Sequence, residues 1–111
     1  MRYRQLAAEQ ALLHGYHVSM IQSFKDKDSA AFFQGRRVRR FEGFAAQARR
    51  RLSLLHTATS LADLAGLPSN QLEQLHGDRQ GQHSIRINDQ WRMCFIWQDD
   101  GPHDVEIVDY H

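Results

Sequence analysis

The sequence predicts one α+β domain with a small antiparallel sheet and two helices packed on one face of the sheet. Three observations support this class: a short alternating segment comes first, helical periodicity follows, and β-favouring runs separated by turn signals end the chain. The length of 111 residues suits a single domain with a modest core. The apolar content of 41% is typical of a globular protein and excludes a disordered or fibrous chain.

The first nineteen residues differ in composition from the rest of the chain. Residues 3–14 are rich in helix-forming types and are followed by Gly15, a residue that often ends a helix. Residues 20–24 then alternate like a first strand. We therefore expect residues 1–19 to be an N-terminal extension, either upstream sequence or sequence added by cloning, and residues 20–111 to be the domain. A peripheral helix native to the protein is the alternative for the extension.

Two helices are predicted next. Asp28 or Ser29 can cap a short helix that ends near Gly35. A longer helix over residues 38–57 repeats apolar residues at three- and four-residue spacing, which predicts one buried stripe. The stripe consists of Phe41, Phe44, Ala45, Ala48, Leu52 and Leu55. Residues 60–64 allow at most one further turn before a loop.

The rest of the chain reads as antiparallel strands, at residues 71–75, 83–87, 91–97 and 105–110. Turn-forming residues separate these runs, as in Gly77-Asp78 and Asn88-Asp89. Alternation places Met93 on one face of its strand and Arg92 on the other. If the apolar face packs on the helices, Arg86 and Arg92 both project from the opposite side of the sheet.

Two arginines on neighbouring strands suit a phosphodiester, because the planar guanidinium fork matches phosphate oxygens. The last strand ends in Asp109-Tyr110-His111, and His76 lies beside a turn, so all could reach the same surface. Cations for charge, histidines for proton transfer and a tyrosine for stacking are what metal-free RNA cleavage needs. The simpler interpretation is a frayed terminus, with both arginines in cross-strand ion pairs.

Other functional classes have weaker support. Cys94 is the single cysteine, which excludes a disulfide framework and fits a reducing cytosol, and its mid-strand position disfavours a nucleophile. His76, His83, His103 and His111 match no familiar ligand spacing, and there is no glycine-rich phosphate loop, so no metal and no cofactor are expected. No apolar run is long enough to cross a bilayer, so we expect a cytoplasmic protein.

Four blocks of sequence carry a family resemblance: MIQSF at 20–24, LHGDR at 75–79, GQHSIRINDQWRMCF at 81–95 and VEIVDYH at 105–111. Together they resemble the HigB toxins of the RelE superfamily, which belong to bacterial type II toxin–antitoxin systems. Within HigB the chain is most similar to the GraT-like subgroup. The similarity covers residues 20–111.

The resemblance implies a RelE-like fold and a toxin that inhibits translation by cutting messenger RNA, typically in the ribosomal A site. Such toxins are endoribonucleases that are neutralised by a cognate helix-turn-helix antitoxin of the HigA type. The implied partners are therefore the antitoxin, the ribosome and mRNA. Operator DNA is reached only through the antitoxin complex, and no membrane is involved.

By position, the resemblance implies an active surface of His76, Arg86, Arg92, Asp109, Tyr110 and His111. To this surface we add Glu73 and a set of arginines as expectations of our own. The catalytic group is His76, Arg92, Tyr110 and His111. The substrate-binding group is Arg86, Asp109 and Glu73. The basic stretch around the longer helix would contact ribosomal RNA through Arg36, Arg37, Arg40, Arg50 and Arg51. In these roles Arg92, helped by Arg86, holds the phosphate, the two histidines transfer protons in an order left open, Tyr110 stacks on the substrate and Asp109 orients its neighbours.

One departure from the family pattern matters. Better-known HigB sequences carry a lysine at the position of His76 and a histidine at the position of Glu73. A histidine is largely neutral near pH 7 unless an anion raises its pKa. Two alternatives therefore stay open: a catalytically degenerate module that acts in antitoxin binding and operon autoregulation, and a ribonuclease that acts on free RNA. A solvated face is the alternative for the basic stretch.

Overall fold

The computed structural model describes residues 19–110, so the expectations for residues 1–18 and for His111 lie outside the described part of the chain. Within residues 19–110 the α-helices are α1 (Lys27–Phe33), α2 (Ala45–Thr57) and α3 (Leu61–Ala65). Short 3-10 helices lie at Arg39–Phe44, Pro68–Asn70 and Gly77–Arg79. None of the described helices is both long and apolar enough to cross a membrane.

The strands form one antiparallel sheet in chain order. They are β1 (Glu73–Gln74), β2 (His83–Arg86), β3 (Trp91–Gln98) and β4 (Gly101–Asp109). Helices α1 and α2 pack on one face of this sheet, where their apolar residues meet those of β2, β3 and β4. The core residues include Phe32, Phe41, Phe44, Leu52, Leu55, Ile85, Met93, Phe95, Val105 and Ile107. The predicted α+β class is confirmed.

The first predicted strand, residues 20–24, is wrong as a regular strand. This segment runs parallel to β4. The amide of Gln22 donates to the Pro102 carbonyl at 2.8 Å, and a single bridge joins Phe24 and Val105, but no regular ladder forms. The interruption has a local cause at Asp104, whose backbone is left-handed with φ 51°. The amide of Asp104 donates to the Ser23 hydroxyl at 2.9 Å instead of to a backbone carbonyl, so the ladder cannot continue.

The single helix predicted over residues 38–57 is divided in two. Phe44 separates the 3-10 helix from α2, with a non-helical backbone at φ −135° and ψ 24°. Gly43 weakens a helix at this point, and i,i+3 spacing in a 3-10 helix aligns side chains on one side. The break lets Phe41 and Phe44 both pack on Trp91, with ring centroids 5.9 and 4.7 Å away.

The C-terminal strands follow the predicted positions with shifted ends. β1 is shorter than the predicted 71–75, because the backbone of Gln71 is left-handed with φ 43°. β4 is longer than predicted and begins at Gly101, whose φ of 122° only glycine adopts readily. The turn between β3 and β4 is therefore reduced to Asp99-Asp100.

A half-buried histidine holds the N-terminal segment against α2. The backbone amide of Ile21 donates to Nδ1 of His56 at 3.2 Å, which requires the neutral imidazole. The His56 ring also packs on Phe33, with centroids 5.2 Å apart. Burial lowers the pKa of His56 below its usual value, and it does the same to His83.

We predict that His56 makes the fold sensitive to acid. Unfolded histidine titrates at about 6.5, so below that pH the unfolded chain binds a proton that the folded chain resists. Stability is then full above about pH 6.5 and falls as pH drops, by at most about 1.4 kcal/mol per pH unit for this one proton. Urea unfolding of His56→Gln, whose amide oxygen still accepts from Ile21, should show less loss on acidification than the wild type.

His76→Gln is the matched control, because His76 is exposed. It should lose stability in acid as the wild type does. A His56→Gln profile that coincides with that of the control would show that folding does not lower the pKa of His56, and the prediction would fail.

Candidate active site on the open face of the sheet

The sheet presents one face to the helices and one away from them. The second, here called the open face, carries Ser84, Arg86, Arg92, Cys94 and Glu106. Arg86 and Arg92 lie directly opposite each other in the β2–β3 register. Their neighbours Ile85 and Met93 form the next pair of the register and point into the core. Strand alternation therefore brings two guanidinium groups together outside the core.

Each of these arginines has a carboxylate partner. Nη2 of Arg86 donates to Oδ1 of Asp89, three residues later across the β2–β3 turn. Nη1 of Arg92 lies 3.8 Å from Oε1 of Glu73 on β1. Like charges placed opposite each other in a sheet destabilise it, and the two carboxylates offset that repulsion.

Arg92 is held more firmly than Arg86. Its exposure is only 8%, and its Nε donates to the Ser84 hydroxyl at 2.7 Å. Its Nη2 donates to the backbone carbonyl of Gln71 at 2.5 Å and to that of Ser84 at 3.3 Å. These bonds use Nε and Nη2 and leave Nη1 towards Glu73. Arg92 is thus a fixed cation with one side of its fork directed to the open face.

The loop that accepts from Arg92 is itself anchored. Asn70 is fully buried and donates to the Leu64 carbonyl at 3.0 Å. Arg51 on α2 donates to the Asn70 side chain, and to the Ser69 carbonyl at 3.4 Å. Gln71 follows in its left-handed conformation, which presents its carbonyl to Arg92. Two arginines, one from each side, therefore fix this loop against the sheet.

A polar cavity of about 360 Å³ opens beside the two sheet arginines. Its volume is within the range of small-molecule sites. The lining residues are Gln71, Glu73, Arg86, Asn88, Asp89, Arg92 and Tyr110. Tyr110 enters this site because its backbone amide donates to the Gln90 carbonyl at 2.9 Å, which continues the strand past Asp109. The cavity combines two fixed cations, two carboxylates and one phenol.

Four of the predicted site residues meet in this cavity: Glu73, Arg86, Arg92 and Tyr110. Two others do not line it. His76 is exposed and lies three residues beyond Glu73, about 10 Å along an extended chain. Asp109 pairs with Trp91 in the register, and its carboxylate accepts from the Gln90 side chain at 2.8 Å. His111 lies outside the described residues.

Sequence reasoning missed three lining residues: Gln71, Asn88 and Asp89. The sequence predicts only a turn at Asn88-Asp89. A tight turn between two strands nevertheless brings Asp89 close to Arg86, three residues earlier, and this closeness is the signal for their ion pair. Gln71 contributes through its backbone carbonyl, and the sequence holds no signal for that.

The arginines predicted to contact RNA are spread over several elements. Arg37 pairs with Glu42, and Arg40 pairs with Asp28 at 2.9 Å and with Asp26 at 3.4 Å. Arg51 is half-buried in the loop anchor described above. The two members that are exposed outside these pairs are Arg36 and Arg50. The basic stretch is therefore a set of surface ion pairs as much as a continuous cationic face.

The far end of the open face carries a second polar group. Arg79 donates to Glu106 at 3.1 Å, and Lys25 lies 3.8 Å from the same carboxylate. Cys94 is buried below this group, and burial raises the pKa of its thiol. Among residues 19–110, no three histidine, cysteine or carboxylate groups lie close enough together to hold a metal ion.

We predict that the Ser84 hydroxyl stabilises the fold through Arg92. Ser84→Ala removes the acceptor of a buried, charged donor and should lower the free energy of unfolding by about 1–3 kcal/mol. Urea denaturation measures this loss. Ser53→Ala, an exposed serine on α2, is the control and should change stability by less than about 0.5 kcal/mol. Equal effects of the two changes would show that water replaces Ser84 as the acceptor.

Comparison with known proteins places the chain in a family. A family model described as "RelE-like toxin of type II toxin-antitoxin system HigB" matches residues 22–111. The chain is also similar to Toxin HigB-1 of Vibrio cholerae serotype O1, with 42% identity over 50 residues, 45% of this chain and 53% of the relative. It thus aligns with about half the length of that curated relative. Because the family match covers well over half of the chain, this protein belongs to the RelE-like HigB toxins of type II toxin–antitoxin systems.

Proposed function

We propose that this protein is an endoribonuclease toxin that cuts mRNA on the ribosome and so inhibits translation. The supporting observation is the cavity on the open face, where Glu73, Arg86, Arg92 and Tyr110 converge. Membership of the HigB family supports the same reading. The site lies outside the core, on the face of the sheet that points away from the helices.

Phosphodiester cleavage through the 2′-hydroxyl builds negative charge on the phosphorus oxygens in the transition state. Arg92 is suited to stabilise that charge, because a guanidinium stays protonated and this one is already oriented by Ser84 and Gln71. No reorganisation of the side chain is needed when the charge forms. Arg86, less buried and held by one carboxylate, is suited to bind the phosphate.

Proton transfer needs a base for the 2′-hydroxyl and an acid for the departing 5′-oxygen. We assign the acid to His111, which follows Tyr110 in the sequence. Glu73 is the carboxylate nearest to Arg92 and is the candidate base within the cavity. His76, the other histidine of our sequence assignment, does not line the cavity. We assign Tyr110 to stacking on a base, and Asp109, which accepts from the Gln90 side chain, to orienting Gln90 and the chain end.

Partners and subgroup are also part of the proposal. We propose a HigA-like antitoxin, which would carry the toxin to operator DNA, and contact with ribosomal RNA through Arg36, Arg37, Arg40, Arg50 and Arg51. Of these, Arg36 and Arg50 are the cleaner candidates, because the other three contact protein groups. We also retain the assignment to the GraT-like subgroup as a proposal.

Arg92→Lys tests the nuclease. Lysine keeps the positive charge but loses the fork, so cleavage should fall by about 10²-fold. The chain is induced in cells without its antitoxin, and growth and mRNA 5′ ends are followed. The wild type should arrest growth and create 5′ ends in phase with codons, and Arg92→Lys and deletion of His111 should do neither. Lys27→Ala, which removes an exposed cation on α1, is the control and should remain toxic.

The same experiment separates the alternatives. If induction of the wild type neither slows growth nor changes the mRNA 5′ ends, the result favours a degenerate module that only binds antitoxin. Both sheet arginines already contact protein groups, Arg92 through Ser84 and Gln71 and Arg86 through Asp89, and this observation favours the second candidate. Cleavage of naked transcripts by the purified protein would favour a ribonuclease that acts without the ribosome.

A further inference from the structure

The cavity is lined by as many carboxylates as cations. Arg86 and Arg92 supply two positive charges, and Glu73 and Asp89 supply two negative charges. The lining is therefore formally neutral, although the site is proposed to bind a polyanion. One of these carboxylates occupies a guanidinium that a phosphate would need.

The two carboxylates differ in how firmly they are held. Glu73 belongs to β1, and its contact with Arg92 is long at 3.8 Å. Asp89 lies on the β2–β3 turn, and its carboxylate bonds directly to Arg86 while its side chain is 98% exposed. Rotation of Asp89 about its side-chain bonds can carry the carboxylate into water without moving the backbone. Arg86, with a side chain that is 32% exposed, would then be open to another anion.

The turn does not depend on the Asp89 side chain. Oδ1 of Asn88 accepts from the backbone amides of Gln90 and Trp91, both at 2.8 Å. These two bonds close the turn between β2 and β3. Among the contacts described for this turn, the Asp89 carboxylate bonds to Arg86 and not to the backbone. This argues against a purely structural role for Asp89.

A phosphate can replace the Asp89 carboxylate at Arg86 with a favourable change in contacts. Asp89 contacts Arg86 through a single nitrogen, whereas phosphate oxygens can engage two nitrogens of the fork. An exposed ion pair contributes little to stability, so the displacement costs little. Because the Asp89–Arg86 ion pair has to be broken first, it still lowers the affinity of the cavity for the incoming anion.

We propose that Asp89 is an internal competitor for the substrate phosphate: its carboxylate occupies Arg86 in the free protein and is displaced when the RNA backbone enters the cavity. This inference rests on the proposed function and deepens it, since it names the group that sets the RNA affinity of the same site. A neutral cavity binds free RNA weakly, so capture of RNA has to come from contacts elsewhere.

Asp89→Asn tests this directly. The probe is a short single-stranded RNA with 2′-O-methyl groups, which cannot be cleaved, and its binding is followed by fluorescence anisotropy at several salt concentrations. Asp89→Asn should bind roughly two- to fivefold more tightly than the wild type. Its affinity should also fall more steeply with salt, by up to about 0.7 in the log–log slope, because one more cation faces the RNA.

Two variants control for charge and for restoration. Asp99→Asn makes the same change in net charge on the β3–β4 turn, outside the cavity, and should bind like the wild type. Asp89→Glu restores a carboxylate and should return the affinity towards the wild-type value. If Asp89→Asn and Asp99→Asn bind equally, Asp89 does not compete and the inference is overturned.

The outcomes also separate this inference from the proposed function. Tighter binding by Asp89→Asn supports the competitor even if no mRNA is cut in cells, in which case only the nuclease proposal fails. RNA binding that Arg86→Ala leaves unchanged would overturn the inference, because the phosphate would then not bind Arg86. Codon-phased cleavage in cells could still be observed in that case.

Discussion

The arrangement of the open face depends on the protein groups that accept hydrogen bonds from Arg92 in place of water. Arg92 is only 8% exposed, so its guanidinium has to find acceptors within the fold, since burial of an unpaired charge is costly. Ser84 supplies two of them from the neighbouring strand, and the left-handed Gln71 supplies the third from the loop before β1. The same bonds that make the buried charge tolerable fix the loop, the orientation of the fork and one wall of the cavity.

The contacts that stabilise the two sheet arginines in the free protein also compete with an anion for the same guanidinium groups. The register places Arg86 directly opposite Arg92, and each guanidinium is offset by a carboxylate. The pairs ease repulsion in the free protein, but they also occupy the groups that an anion would bind. A polar network is most stable when every member has a partner, so an incoming anion has to replace one member. The most exposed carboxylate is the one best able to leave.

Period-two alternation was enough to predict the central strands and the projection of both arginines away from the helices, because one face of β3 is filled by Met93 and Phe95. The alternation could not predict the break at Phe44, which depends on packing against Trp91, a residue distant in sequence. It also could not place His76, since the short β1 and the 3-10 helix after it decide where that side chain lies. A motif resemblance predicts which residue types belong to the site. The geometry of the loops determines which of those side chains lie close together.

The charge distribution of the whole chain is nearly balanced, as is that of the cavity. The formal net charge is +1, so long-range attraction to RNA is weak. Several exposed arginines are also paired, as Arg37 is with Glu42 and Arg40 with Asp28. These ion pairs reduce the positive charge that a polyanion meets, while Arg36 and Arg50 are exposed outside them. Under the proposed function, affinity for RNA therefore depends more on short-range contacts at the binding surface than on the net charge of the chain.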